Sequence, residues 1–243
     1  MLNLKIPSPV IKLNSQFLDK YNIQLFIKRD DLINQFISGN KWRKLKYNLL
    51  EAQKQGFKSV VSFGGAYSNH LYALSYACNI LQLNSIGVIR GEKPPIINST
   101  QSFCINNKMN LIYMDREQYN YYKKGTELSL DIKNKFGQCF IIPEGGCNKL
   151  GVKGCEEIMD EVNMSIDYVC CAVGTGCTAA GIINSLSENH NFLGFCAFHK
   201  IYEQKHLIQD LILDSSSNNW ELFPDTNFGG FAKVNDDLFK FIH

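Results

Sequence analysis

The chain has 243 residues, 45% of them hydrophobic and 20% charged, with a formal net charge of +2. This is the composition of a soluble globular protein with apolar material for one large or two modest domains. The near-neutral balance, with basic residues scattered along the chain, argues against nucleic acid or an anionic membrane as a partner.

The opening residues, Met1-Leu2-Asn3-Leu4-Lys5-Ile6-Pro7, show no basic segment leading into an apolar one and no small-residue cleavage site. No apolar run reaches bilayer length, so a cytoplasmic protein is expected. An apolar strand, Leu25-Phe26-Ile27, and an acidic loop at Asp30-Asp31 lead into Ser38-Gly39-Asn40-Lys41-Trp42-Arg43-Lys44-Leu45. There a helical pattern begins over residues 42–55, with Leu45, Leu49 and Ala52 on one face and Gly56 as its stop. Lys41 thus stands at an element junction, after a glycine that allows close backbone approach and an asparagine able to cap the helix. A lysine in such a place can be desolvated into a nucleophile at neutral pH, and a Schiff base with pyridoxal phosphate is the use this chemistry suggests. Taken alone, a lysine is far more often a solvated surface residue.

The next strand, Ser59-Val60-Val61-Ser62-Phe63, runs into the loop Gly64-Gly65-Ala66-Tyr67-Ser68-Asn69-His70 and then a helix carrying Leu71, Leu74, Cys78 and Leu81. A helix N-terminus attracts anions, so a substrate carboxylate can dock on the amides near Ser68 and Asn69, with the Ser68 hydroxyl and His70 available for proton transfer. The bland alternative makes Ser68 or Asn69 a simple N-cap and His70 a surface residue of the first turn. Further strands are expected at Ser85–Ile89, Asn110–Met114, Cys139–Ile142, Tyr168–Val173 and Phe192–Phe198. Short apolar runs alternating with helical patterns indicate α/β architecture with parallel sheets.

After the strand at Tyr168 comes Gly174-Thr175-Gly176-Cys177-Thr178-Ala179-Ala180-Gly181, opening a helix through Ile182, Ile183 and Leu186. Strand, glycine turn and helix together make a phosphate cradle. The text also fits Gly-x-Gly-x-x-Ala, but a dinucleotide site calls for an acidic residue about 20 positions on, at the end of the next strand. That strand instead ends Ala197-Phe198-His199-Lys200. A single monophosphate therefore fits best, with the Thr175 and Thr178 hydroxyls adding to the amides. Nine cysteines, odd in number and without Cys-x-x-Cys or histidine partners at metal spacing, read as small core residues, Cys170, Cys171 and Cys196 among them. No metal site is expected.

Together these segments resemble one family. Ile27-Lys28-Arg29-Asp30-Asp31-Leu32, the Ser38–Leu45 run, Ser62–His70, Pro143-Glu144-Gly145-Gly146, the Gly174 loop and Phe228-Gly229-Gly230-Phe231-Ala232-Lys233-Val234 occur in an order similar to that of the 1-aminocyclopropane-1-carboxylate deaminase and D-cysteine desulfhydrase family, within the tryptophan-synthase-β-like (fold type II) pyridoxal-phosphate enzymes. The resemblance covers the chain from about Pro9 to the last residue. It implies two three-layer α/β/α lobes with mostly parallel sheets and the cofactor cleft between them. The small lobe would be 44–150, and the large one 1–43 with 151–243.

By the same resemblance, pyridoxal 5'-phosphate is held covalently by Lys41, Asn69 bonds its ring oxygen, and Gly174, Thr175, Gly176, Cys177 and Thr178 hold its phosphate. Lys41 and Ser68 are the implied catalytic residues, and Ser68, Asn69 and His70 the implied contacts of a small amino-acid substrate. A homodimer is implied. Tyr67 stands where the deaminases commonly have glutamine, Leu71-Tyr72 where they tend to have Thr-Arg, and Phe231 where they bring a tyrosine hydroxyl. The expected reaction is accordingly conversion of D-cysteine to pyruvate, sulfide and ammonia, with aminocyclopropane carboxylate deamination as the alternative and cofactor binding without turnover as a third reading. Family members continue beyond the Gly-Gly-Phe-Ala-Lys segment with the element that contacts the pyridine nitrogen, so a C-terminally truncated chain is expected.

Overall fold

The computed structural model describes residues 2–187, 189–196, 201–213, 219–224 and 234–242. The 228–233 part of the Gly-Gly-Phe-Ala-Lys segment, with Phe231, and Ala197-Phe198-His199-Lys200 lie outside the described residues. Contacts divide the chain into two units, Met1–Gly146 and Cys147–His243. Within the first unit, Ile37 packs with Leu45, Leu49 and Val60.

The first unit opens with β1 (Val10–Leu13) and β2 (Leu25–Lys28), an antiparallel pair joined through α1 (Gln16–Lys20). Then follow α2 (Lys41–Lys54), β3 (Ser59–Gly64), α3 (Asn69–Ile80), β4 (Asn84–Arg90), α4 (Ser99–Asn106), β5 (Asn110–Met114), α5 (Arg116–Tyr122), α6 (Leu130–Phe136) and β6 (Phe140–Ile142). The four later strands form a parallel sheet in the order β5-β4-β3-β6. Central β3 is a β-branched and aromatic run whose Val60, Val61, Ser62 and Phe63 are all 0% exposed. That run has the continuous apolar character a strand needs when helices cover both faces. Val60 packs with Leu45, Leu49, Leu71, Leu74 and Cys104 under α2, α3 and α4. Val61 and Phe63 pack on the other face with Tyr119 of α5 and Ile132 of α6. Three layers result.

The strand order determines where a ligand can sit. From β3 the chain winds through β4 to β5 and then returns to place β6 on the other side of β3. β4 and β6 thus flank β3 on opposite sides, and open α/β sheets form their ligand crevice at the carboxyl ends of strands where the order reverses in this way. The loop after β3 is Gly65–Ser68, and the turn after β6 is Pro143–Gly146.

The second unit contains α7 (Lys149–Asp160), β7 (Tyr168–Val173), α8 (Cys177–Ser185), β8 (Asn191–Cys196), α9 (Ile201–Gln209), β9 (Trp220–Phe223) and α10 (Asp236–Ile242). Its three strands pair in parallel in the order β7-β8-β9. One core cluster joins Val152, Cys155, Val173, Cys177, Ile183, Phe192, Ile208 and Leu222. Six of the nine cysteines are buried, as expected of small core residues. Cys170 is exposed and Cys171 half-buried. They alternate along β7, where Tyr168, Cys170 and Ala172 point to the open face, so an apolar run here is not a fully buried one.

Candidate active site

Lys41 is the first residue of α2, one residue earlier than the helical pattern suggested. Asn40 occupies the N-cap position, yet its side chain makes no capping bond, because its backbone (φ −65°, ψ 2°) is not the extended form from which a side chain reaches back to the first turn. Its Oδ1 instead accepts a hydrogen bond from Lys41 Nζ at 2.5 Å. The asparagine therefore orients the amine and leaves the helix end uncapped by its side chain. Gly39 precedes it at φ +63°, a conformation that suits glycine.

Ser68 caps α3. Its backbone is extended and its Oγ accepts from Leu71 N at 3.2 Å. The hydroxyl lies against Gly64, where a Cβ would stand 2.4 Å from Ser68 Oγ. Asn69, the first residue of α3, is exposed, and Tyr67 before the cap is 74% exposed.

His70 is not a surface residue of the first turn: it is 4% exposed. Its Nε2 is 2.9 Å from the hydroxyl of Ser62, in the middle of β3, and Ser62 in turn approaches the Pro143 carbonyl at 3.4 Å. Gly146 closes over the ring, since a Cβ there would lie 3.2 Å from His70 Cε1 and 3.1 Å from Lys44 Cβ. Nδ1 is buried without a hydrogen-bond partner among the described residues. Burial, with the charges of Lys44 and Lys41 adding to it, pushes the imidazole pKa down to about 3. His70 is therefore a neutral ring packed beneath the Lys41 and Ser68 helix ends.

The glycine loop follows β7 in the second unit. Gly176 takes φ +82° at the N-terminus of α8, and a Cβ there would come within 2.9 Å of Ile208 Cγ1, so both conformation and space select glycine. Gly174 is exposed and would meet nothing within 4 Å of a Cβ. Cys177 is 0% exposed within the core cluster, so it points away from the open side of the loop. Thr175 offers its carbonyl to Cys147 Sγ at 3.1 Å, and Thr178 is nearly buried, with Cys155 Sγ donating to its Oγ1 at 3.9 Å. A glycine turn feeding a helix N-terminus suits a phosphate monoester.

Lys41, Ser68, Asn69 and His70 belong to the first unit, at the carboxyl edge of its sheet, and Gly174–Thr178 to the second. Sequence reasoning assigned no role to Ser62, Gly146 or the buried Asp30–Arg43 pair. Asp30 and Arg43 lie inside segments whose text was legible, but nothing local signals that the two would be buried together.

The residues present fit a phosphorylated aldehyde cofactor. A half-buried primary amine stands at a helix start beside Asn40 Oδ1, and a separate glycine turn leaves open space for an anion. The sequence model of the family described as "Pyridoxal-phosphate dependent enzyme" matches residues 2–201. The "Putative 1-aminocyclopropane-1-carboxylate deaminase" of Thermotoga maritima is 36% identical over 197 residues, 76% of this chain and 61% of that protein. The mitochondrial "Bifunctional D-cysteine desulfhydrase/1-aminocyclopropane-1-carboxylate deaminase" of Arabidopsis thaliana is 31% identical over 198 residues, 73% of this chain and 48% of that protein. The chain thus spans roughly half to three fifths of these relatives. The crystal structure of an ACC deaminase homologue superposes with a TM-score of 0.74 at 23% identity, covering 92% of this chain and 72% of that one, a likeness of fold. With the match extending over most of the chain, and an amine and a glycine turn suited to the cofactor, the protein belongs to the family of pyridoxal-phosphate dependent enzymes.

Proposed function

We propose that the chain carries out pyridoxal-phosphate-dependent elimination and deamination of a small amino acid, with D-cysteine converted to pyruvate, sulfide and ammonia. The observation that carries this reading is the meeting of Lys41 and the Ser68-Asn69-His70 helix start at one sheet edge. An amine and an anion-binding helix end are the two groups an amino-acid substrate has to face there.

When bound, the cofactor supplies a conjugated ring that takes up the electron pair released at the substrate's α-carbon. The chain's own residues do the rest. Lys41 Nζ would hold the cofactor and, as a free amine, would take and return the proton at the substrate's α-carbon. Asn69 would bond the cofactor's ring oxygen, and Gly174, Thr175, Gly176, Cys177 and Thr178 would hold its phosphate, the amides at the start of α8 being best placed by the helix dipole. Ser68 and Asn69 bind the substrate carboxylate at the start of α3. His70, neutral and buried, supports that turn from below and keeps water from the space beneath Lys41. A homodimer is the proposed assembly and rests on the family resemblance alone.

Deamination of 1-aminocyclopropane-1-carboxylate is the second reading, favoured by the name of the Thermotoga maritima relative. The assay that separates them supplies each amino acid to cofactor-loaded protein. Pyruvate and sulfide from D-cysteine support the first reading, 2-oxobutyrate from the cyclopropane acid the second. Cofactor binding with no product from either contradicts both and leaves a binding protein without turnover.

A further inference from the structure

Behind Lys41 lies a buried charged set that the proposed chemistry leaves unused. Asp30 opens the helical turn Asp30–Leu32 after β2. Its Oδ2 accepts from Arg43 Nε at 3.1 Å and its Oδ1 from Arg43 Nη2 at 3.0 Å. Ser8 Oγ donates to Oδ1 at 2.6 Å, and Lys28 Nζ lies 3.6 Å from the same oxygen. Lys28 also donates to the Ser8 carbonyl at 2.9 Å and to the Ser8 hydroxyl. The Asp30 carbonyl accepts from Ile33 N and Gly39 N, both at 3.1 Å. Arg43, with a side chain 0% exposed, is the largest fully buried residue among those described.

A two-point guanidinium–carboxylate contact fixes both direction and distance, which one flexible ammonium does not. Here it ties together the two ends of a single connection. Asp30 holds Gly39 through its carbonyl and Arg43 of α2 through its carboxylate, and Asn40, Lys41 and Trp42 are the residues between those two anchors.

We propose that Asp30 and Arg43 are positioning residues for Lys41, clamping the turn from which its amine is presented beside Asn40. The inference rests on Lys41 being the amine that takes the cofactor. The pair also contributes charge. Lys41 donates to Asn40 Oδ1, and its charge and that of Lys44 act on His70 of α3. Arg43, two residues on in α2, its partner Asp30, and Lys28 beside Asp30 are the further charges nearby in the chain's packing. Removing the Arg43 charge removes a like charge from that surrounding and raises the pH at which Lys41 gives up its proton.

The test reacts folded protein with pyridoxal phosphate across a range of pH, fixes the adduct with borohydride and locates the modified lysine by peptide mass mapping. Arg43→Gln leaves Asp30 with Ser8 and Lys28, so its carboxylate is not stranded. The expected result is labelling of Lys41 slowed by about tenfold or more, with the midpoint moved to higher pH. Arg43→Lys keeps the charge, returning the midpoint to its wild-type value and recovering part of the rate. A folded Arg43→Gln protein that labels at the wild-type rate overturns the proposal. So does slower labelling whose midpoint is unmoved and which lysine does not rescue, the mark of a merely structural role. Should Arg43→Gln fail to fold, Arg43→Met takes its place: slower labelling with the midpoint moved to higher pH supports the clamp, and an unchanged rate, or slower labelling at an unmoved midpoint, sinks it. Wild-type protein that does not label at Lys41 refutes the functional reading itself, a different result from wild-type labelling that Arg43 leaves untouched.

Discussion

His70 follows Asn69 into α3 and is sealed there by Ser62, Gly146 and Lys44, which makes it a titrating group with a measurable signature. Its pKa is held at about 3 against an ordinary 6.5, chiefly by burial. Between those two values the unfolded chain takes up a proton that the folded chain refuses. Stability is therefore full above the ordinary value and falls as pH drops toward 3, by an amount on the order of 4 kcal/mol across the window. Denaturant unfolding of wild type and His70→Gln at several pH values between 7 and about 4 reads this directly. The wild type is expected to lose stability more steeply than the variant on acidification, and parallel curves would count against a neutral buried imidazole. Nothing near His70 in the sequence announces its burial, for the groups that enclose it come from β3, from α2 and from the turn after β6. Ser68, by contrast, is a legible cap because its signal is local: a serine directly before an apolar helical pattern. Asn40 carried the same local signal and the chain uses it otherwise, since the Gly39 turn delivers its backbone in a form that cannot cap.

At the level of elements, runs such as Val60-Val61 and Val169-Cys170 marked strands whose structural bounds lie within a residue or two of the sequence reading. The alternation of strand and helix was equally plain. Helix α7 was not. Gly151 and Gly154 oppose helix formation by propensity, yet both are buried inside it. Packing overrides propensity there, since α7 lies so close to α8 that a Cβ on Gly181 would stand 2.4 Å from Cys155 Cβ and 2.7 Å from the Val152 carbonyl. Gly181→Ala would gain about 1 kcal/mol of helix propensity but must push two helices apart, at a cost of about 3 kcal/mol, so thermal unfolding should occur at lower temperature. A more stable variant would show that the two helices are not in contact at that point. Gly174 makes the complementary case. With open space around it, Gly174→Ala should leave the melting temperature unchanged while weakening pyridoxal phosphate binding about tenfold, by a methyl group intruding on the anion. Equal affinity in a titration of the two proteins would mean the phosphate does not rest on this turn.

Over the whole molecule, each of two units has its own parallel sheet and core: the first carries Lys41 and the start of α3, the second a glycine turn at a helix start. The family was legible in the sequence because cofactor chemistry fixes short local texts in a set order. The burial of Asp30 with Arg43 was not legible, because it depends on tertiary structure that no local signal announces. The central claim is that Lys41 is the amine that takes pyridoxal phosphate. Its most direct test is the visible absorption spectrum of purified protein mixed with that cofactor, for wild type and for Lys41→Ala. The band of a lysine-linked cofactor should form with wild type and be missing from a Lys41→Ala protein whose circular dichroism is unchanged. The same band in both proteins would contradict the assignment.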